Sequence, residues 1–185
     1  MIPSASQTVG PFFNFGLTTN AALGLLASEK AEGERIRITF RVLDGEGKPT
    51  PADSMIELWQ ADAQGRYAHP ADPRAAEADQ NFRGFGRLET DPDGSCTFET
   101  VKPGPVDPRS APHLNVALFA RGLLKQLHTR VYFQGETRNA TDPVLQLVPE
   151  ERRATLLAQP VAGKPNSWSL EIRLQGEGET VFFEV

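Results

Sequence analysis

Cysteine is nearly missing from this chain: Cys96 stands alone among 185 residues. One thiol can form neither an intrachain disulfide nor a thiolate metal cluster, so a reducing, cytoplasmic setting is expected. Histidine occurs three times, and tyrosine, tryptophan and methionine twice each, so metal or acid–base chemistry has few positions to draw on. Long apolar runs are lacking too. The stretch from Ala21 to Ala27 is too short to span a bilayer, and Met1-Ile2-Pro3-Ser4 has neither the basic start nor the apolar run of a secretory signal. Nor is there a surplus of positive charge. A formal net charge of −5 and a pI near 5.3 give no sequence-wide electrostatic case for nucleic acid or an anionic membrane as partner.

What the chain does have is turn chemistry. Glycine (16) and proline (15) make up about 17% of it, above ordinary usage and below the roughly 25% at which low-complexity disorder takes over. With 39% hydrophobic residues, one compact domain over residues 1–185 is expected. Ile36, Ile38, Phe40 and Val42 alternate with Arg35, Arg37, Thr39 and Arg41, the period of two of a half-buried strand. Further strands are expected over residues 55–60, 82–90, 96–101, 113–120, 126–133, 166–174 and 180–185. Asp44-Gly45-Glu46-Gly47, Asp91-Pro92-Asp93-Gly94 and Lys102-Pro103-Gly104-Pro105 punctuate them. A helix is expected over 149–157, opened by a proline and two acids, and a shorter one over 21–30. About eight short strands, each with one apolar face to cover, argue an all-β fold. We expect a β-sandwich with short helices and an extended N-terminal arm over residues 1 to about 15.

Candidate chemistry is sparse. His69, His113 and His128 show no zinc-type spacing. His113-Leu114-Asn115 places two polar side chains on one strand face, where a second histidine would complete a two-point metal claw. A lone strand histidine is more often a hydrogen-bonded core residue. Tyr67 carries a hard phenolic oxygen suited to ferric iron, but from local sequence alone a tyrosine packing its ring at a sheet end is the better reading. Arg130 and Tyr132 share a strand face, and Arg121 begins an Arg-Gly turn.

Several segments combine into a more specific pattern. Ile56-Glu57-Leu58-Trp59-Gln60-Ala61-Asp62, Thr100-Val101-Lys102-Pro103-Gly104-Pro105, Ala111-Pro112-His113-Leu114-Asn115 and Val131-Tyr132-Phe133 occur in this order, between Ser6-Gln7-Thr8-Val9-Gly10-Pro11-Phe12 and a terminal stretch from Ile172 to Phe183. Together they resemble the intradiol ring-cleaving dioxygenases, over nearly the whole chain.

That resemblance implies an oxidoreductase of aromatic catabolism. The reaction would be cleavage of protocatechuate with O2 to 3-carboxy-cis,cis-muconate, at a ferric ion held by two tyrosinates and two histidines. Tyr67 matches the first tyrosine ligand and His113 the first histidine. Val106 stands where the second tyrosine is expected and Asn115 where the second histidine is. Ser110 replaces an expected arginine, with Arg109 adjacent, and Arg130 replaces a glutamine. The resemblance therefore implies that Tyr67, Val106, His113, Asn115 and Arg130 form a vestigial metal pocket, and that Fe(3+) is held by a homologous catalytic β chain in a hetero-oligomer of αβ units. Thr8, Gly10, Pro11 and Arg121 match positions that reach the partner's substrate cleft, where glycine would let backbone approach closely and proline would stiffen the arm. Two other readings are a non-catalytic β-sandwich carrier or interaction module, and a self-sufficient metalloenzyme using Asp62 or His69.

Overall fold

A computed structural model of the chain describes residues 8, 10–50 and 54–184. Eight strands dominate it: β1 (Arg35–Leu43), β2 (Met55–Trp59), β3 (Phe85–Glu89), β4 (Ser95–Val101), β5 (His113–Phe119), β6 (Leu127–Phe133), β7 (Leu157–Pro160) and β8 (Ser167–Arg173). They pair in the order β3-β2-β5-β6-β7-β8-β1-β4. The β6–β7 pairing, Tyr132 with Leu157 and Phe133 with Ala158, joins two antiparallel-rich halves into one ribbon.

Alternation in the sequence explains why the ribbon has an inside. Along β1, Ile36, Ile38, Phe40 and Val42 are buried while Arg37 and Arg41 are exposed. Those four side chains pack in one cluster with Ile56 and Leu58 of β2, Phe98 of β4, Leu114 and Val116 of β5, and Leu170 and Ile172 of β8. Side chains from both halves thus share one core, as the two sheets of a sandwich must to cover both apolar faces. Phe40 and Phe98 meet edge to face at 6.0 Å, a favoured aromatic geometry. A smaller cluster of Ala111, Tyr132, Leu145, Val148 and Leu156 lies on the other side of β5 and β6.

The helices depart from expectation. Pro11–Thr18 forms α1, so the stretch expected to be extended to about Phe15 is helical from Pro11 onward. Proline at the first position presets φ and has no N–H to leave unpaired, so it starts this helix. Residues 1–7 and 9 of the expected arm lie outside the described residues. Residues 149–157 give a 3-10 helix, Glu150–Leu156, because the segment must return from buried Val148 to buried Leu156 and then enter β7. β7 also departs from expectation, because four residues ending in proline carry no readable period of two. Residues 21–30 form the 3-10 turn Ala21–Gly24, capped by the Asn20 side chain, followed by isolated bridges at Leu25 and Ala27 in place of a longer helix. Among the described residues of 180–185, a bridge between Phe183 and His128 stands in place of the expected strand.

Candidate functional site

The chain leaves β2 at Trp59 into a loop organised by Asp62, which is 1% exposed. Its Oδ1 accepts the backbone N–H groups of Gln64 and Arg66, each at 2.9 Å, and its Oδ2 accepts that of Asp79 at 3.0 Å. Arg66 completes the set as an ion pair at 3.4 Å. Gly65 has φ +79°, and a Cβ there would lie 1.9 Å from the carbonyl oxygen of Pro105. A Cβ on Gly104 would lie 2.4 Å from the carbonyl oxygen of Ala63. The two loops therefore press backbone to backbone, an approach only glycine permits. This contact brings Tyr67 and Val106 to the same recess, about 610 Å³, which Trp59, His69 and Arg74 also line. Arg74 Nη2 donates to the carbonyls of Gly65 (2.9 Å) and Val106 (3.1 Å), tying the loops together. Trp59 stacks on Tyr67 at 5.8 Å with 9° between the rings.

β5 and β6 supply the other members. His113 lies opposite Tyr132, and Asn115 opposite Arg130. The Asn115 amide donates from Nδ2 to the Tyr67 hydroxyl at 3.1 Å and to the Trp59 carbonyl at 3.3 Å. His113 is buried, and its Nδ1 donates to the Ala111 carbonyl at 2.8 Å. Asp142 anchors this end. It is fully buried and accepts four hydrogen bonds, from the Tyr132 hydroxyl (2.9 Å) and from the backbone N–H groups of Ala111 (2.8 Å), Val144 (3.0 Å) and Leu145 (2.8 Å).

The electrostatics favour neutral groups around one cation. Burial raises the Tyr67 pKa above the ordinary phenol value, against the opposing pull of the Asn115 hydrogen bond and Arg130. Burial likewise raises that of Tyr132, helped by Asp142. Desolvation lowers the His113 pKa, and the nearby Arg130 charge works in the same direction. A trivalent metal needs anionic donors, and the residues present do not fit one. Val106 has no donor atom, and the Asn115 amide turns its NH2 toward the phenol oxygen that would be a ligand. Arg130 adds a fixed positive charge felt by Tyr67 and His113 alike. Among the described residues no three His, Cys, Asp or Glu side chains cluster to hold a metal ion. Asp62 is committed to its loop, and His69 Nδ1 accepts the Ala71 N–H at 3.2 Å.

The remaining sequence candidates lie at the far end of β5. From His113 to Phe119 the strand runs about 20 Å at its usual rise, and Arg121 follows, exposed, in the next turn. Thr8 is brought to that turn: its Oγ1 accepts the Gly122 N–H at 2.6 Å. Gly10 precedes α1 with φ −103°, and among the described residues nothing lies within 4 Å of where its Cβ would be. Pro11 begins a helix where it was expected to stiffen an extended arm, while the close approach expected at Gly10 is to the cleft of a partner chain. Thr8 and Arg121 thus meet at one place, whereas Tyr67, Val106, His113, Asn115 and Arg130 meet at another.

Sequence reasoning missed Trp59, Arg74 and Asp142 as organisers of the second group. Only Asp142 left a local signal. It stands two and three residues before the N–H groups that it caps, the arrangement of an Asx turn.

Comparison with known proteins bears on both groups. A family model described as Dioxygenase matches residues 9–176. The chain is 43% identical, over 97% of its length and 96% of the relative's, to the protocatechuate 3,4-dioxygenase alpha chain of Burkholderia cepacia. It is 38% identical, over 83% of its length and 66% of the relative's, to the protocatechuate 3,4-dioxygenase beta chain of the same organism. Among solved structures, the dioxygenase domain of a carbohydrate-binding fusion protein from Streptomyces sp. SirexAA-E superposes with a TM-score of 0.64 at 26% identity, covering 95% of this chain and 99% of that one.

Proposed function

The chain belongs to the intradiol dioxygenase family, and from that premise we propose that it is the α-type, non-iron-binding subunit of an enzyme that cleaves protocatechuate with O2. A homologous β chain holds the Fe(3+) in this reading, and αβ units build the active assembly. The carrying observation is the Asn115 amide bonded to the Tyr67 hydroxyl beside Val106 and Arg130. Family membership leads one to look for four iron ligands, and at this place two are replaced and a cation is added. The likeness to both an alpha and a beta chain supports a heteromeric assembly.

This chain's own contribution is binding and positioning. Thr8, Gly10, Pro11 and Arg121 face the partner's cleft, with Thr8 bonded to the turn that carries Arg121. There the guanidinium meets the substrate's ring carboxylate, a charge-assisted contact that orients the ring in an otherwise apolar cleft. The position of Gly10 fits this role, since among the described residues the space beside it is open and available to partner backbone.

Co-production with a homologous chain that has all four ligands tests the reading. Protocatechuate-dependent O2 uptake is expected from the purified pair and from neither this chain alone nor a pair built with an unrelated β-sandwich. Equal turnover by the partner alone would contradict the proposal.

A further inference from the structure

The turn that carries Arg121 has an identifiable conformation, and Thr8 is bonded to its middle. We propose that Thr8 is a positioning residue: its hydroxyl locks the central peptide of the Arg121–Gly122 turn and so fixes the directions from which the Arg121 guanidinium meets substrate. The inference rests on the assignment of Arg121 to the substrate carboxylate made above, and adds to it a latch built within this chain.

The type of turn follows from its backbone. The Ala120 carbonyl accepts the Leu123 N–H at 3.2 Å, which closes a four-residue turn with Arg121 and Gly122 in the middle. Gly122 has φ +93°, and among the described residues Asn166 is the one non-glycine residue with positive φ, so that of Arg121 is negative. Negative φ followed by positive φ makes a type II turn. Its central peptide, the Arg121 carbonyl with the Gly122 N–H, is turned over relative to the commoner type I form. Between the two forms ψ of the second residue and φ of the third differ by about 150° and 170°. Glycine at the third position opens both to the chain. Packing does not choose between them, because Arg121 and Gly122 are exposed and among the described residues nothing lies within 4 Å of where a Gly122 Cβ would be. The Gly122 N–H donates to Thr8 Oγ1 at 2.6 Å, and turning the peptide over would withdraw that donor.

The latch is tied to the body of the sandwich. Thr8 stands three residues before Pro11, where α1 begins; α1 packs on β3, and Thr18 Oγ1 at its far end donates to Glu89 Oε2 at 3.2 Å. The ψ angle of Arg121 belongs to the locked peptide, and the rotamers open to a side chain depend on φ and ψ. Holding that peptide therefore restricts the guanidinium before substrate arrives, so less ordering remains for the binding step. The effect belongs in KM.

Kinetics of the complex with the iron-bearing chain, together with amide exchange of the full chain alone, test the latch. Thr8→Val keeps the shape and removes the hydroxyl. It should raise KM for protocatechuate about two- to tenfold, the range of one neutral hydrogen bond, with the change in kcat much smaller, and Thr8→Ser should recover the original value. Catechol, which has no carboxylate, should lose much less. In the uncomplexed chain the Gly122 amide should exchange with solvent faster in Thr8→Val by a factor of the same order, with thermal melts verifying that each variant is folded. Equal exchange rates would overturn the latch whatever the assembly does. Faster exchange with an unchanged KM, a Thr8→Ser variant as weak as Thr8→Val, or equal losses on protocatechuate and catechol would each overturn the positioning role. Arg121→Ala in the same assay separates this failure from that of the reading beneath it. Equal losses there on both substrates remove Arg121 from the carboxylate and the positioning role with it, whereas a loss confined to protocatechuate, beside a silent Thr8→Val, overturns the latch alone.

Discussion

The two ends of β5 differ in kind. At its start, Tyr67, His113, Asn115 and Arg130 are buried or half-buried, each held by identifiable partners, and the loops that carry Tyr67 and Val106 are locked through Gly65 and Gly104. At its end, Arg121 and Gly10 are exposed, and Thr8 contacts the turn through one hydrogen bond. The first region has the architecture of a site and lacks the donors for a metal. The second has suitable chemistry for a carboxylate and lies exposed among the described residues. The contrast teaches that enclosure and ligand chemistry need not coincide: the enclosed region pairs its polar groups with one another, while the cation of the other region stands at the surface.

The largest expected effect breaks the first region. Asp142→Ala would orphan a buried phenol and three backbone N–H groups, a loss of about 3–5 kcal/mol of folding stability. Urea denaturation of the full chain checks it. A loss under about 1 kcal/mol would mean that Asp142 does not anchor this end of the sandwich.

Next in size is the second region. Arg121→Ala should lower kcat/KM of the assembled enzyme for protocatechuate about ten- to hundredfold, the worth of one charge-assisted contact kept in the transition state. Catechol, which lacks the carboxylate, should lose much less. Equal losses on both substrates, in a complex of normal mass and iron content, would make Arg121 an assembly residue.

A smaller effect concerns pH. The folded-state pKa of His113 is depressed, chiefly by burial, so the unfolded chain binds its proton more readily than the folded one does. The neutral imidazole's contribution to stability is fully present above the ordinary histidine pKa of about 6.5 and is lost progressively as pH falls toward the depressed value. In His113→Gln the decline of stability between neutral and mildly acidic pH should be shallower. An unchanged slope would assign the pH dependence to other groups.

The smallest expected change is none. Asn115→His restores one ligand and leaves Val106 and Arg130 in place, so the unpartnered variant should show no O2 uptake with protocatechuate. Turnover would mean that the interior region remains one substitution from catalysis.

How much of this could be read in the sequence follows from the range of the interactions. The period of two in β1 and the Asp-Gly turns act over a few residues, and they locate seven of the eight strands. β7 is too short for its pattern to register, and the 3-10 geometry of Glu150–Leu156 is set by the packing of both its ends. For the site, the resemblance lines up Tyr67, Val106, His113, Asn115 and Arg130, but that the vacated histidine position now donates to the Tyr67 hydroxyl depends on a contact across 48 residues. The distance between Arg121 and His113 follows from β5, which begins at His113 and ends two residues before Arg121. That Thr8 reaches the Arg121 turn does not, because 114 residues separate Thr8 from Gly122.

Iron analysis of the full chain, produced without a partner and offered ferric iron, bears most directly on the contrast between the two regions. The account predicts no stoichiometric iron and no visible tyrosinate charge-transfer band, since the Tyr67 phenol is held neutral and accepts from Asn115. About one tightly bound ferric ion per chain, with a visible band abolished by Tyr67→Phe, would contradict it.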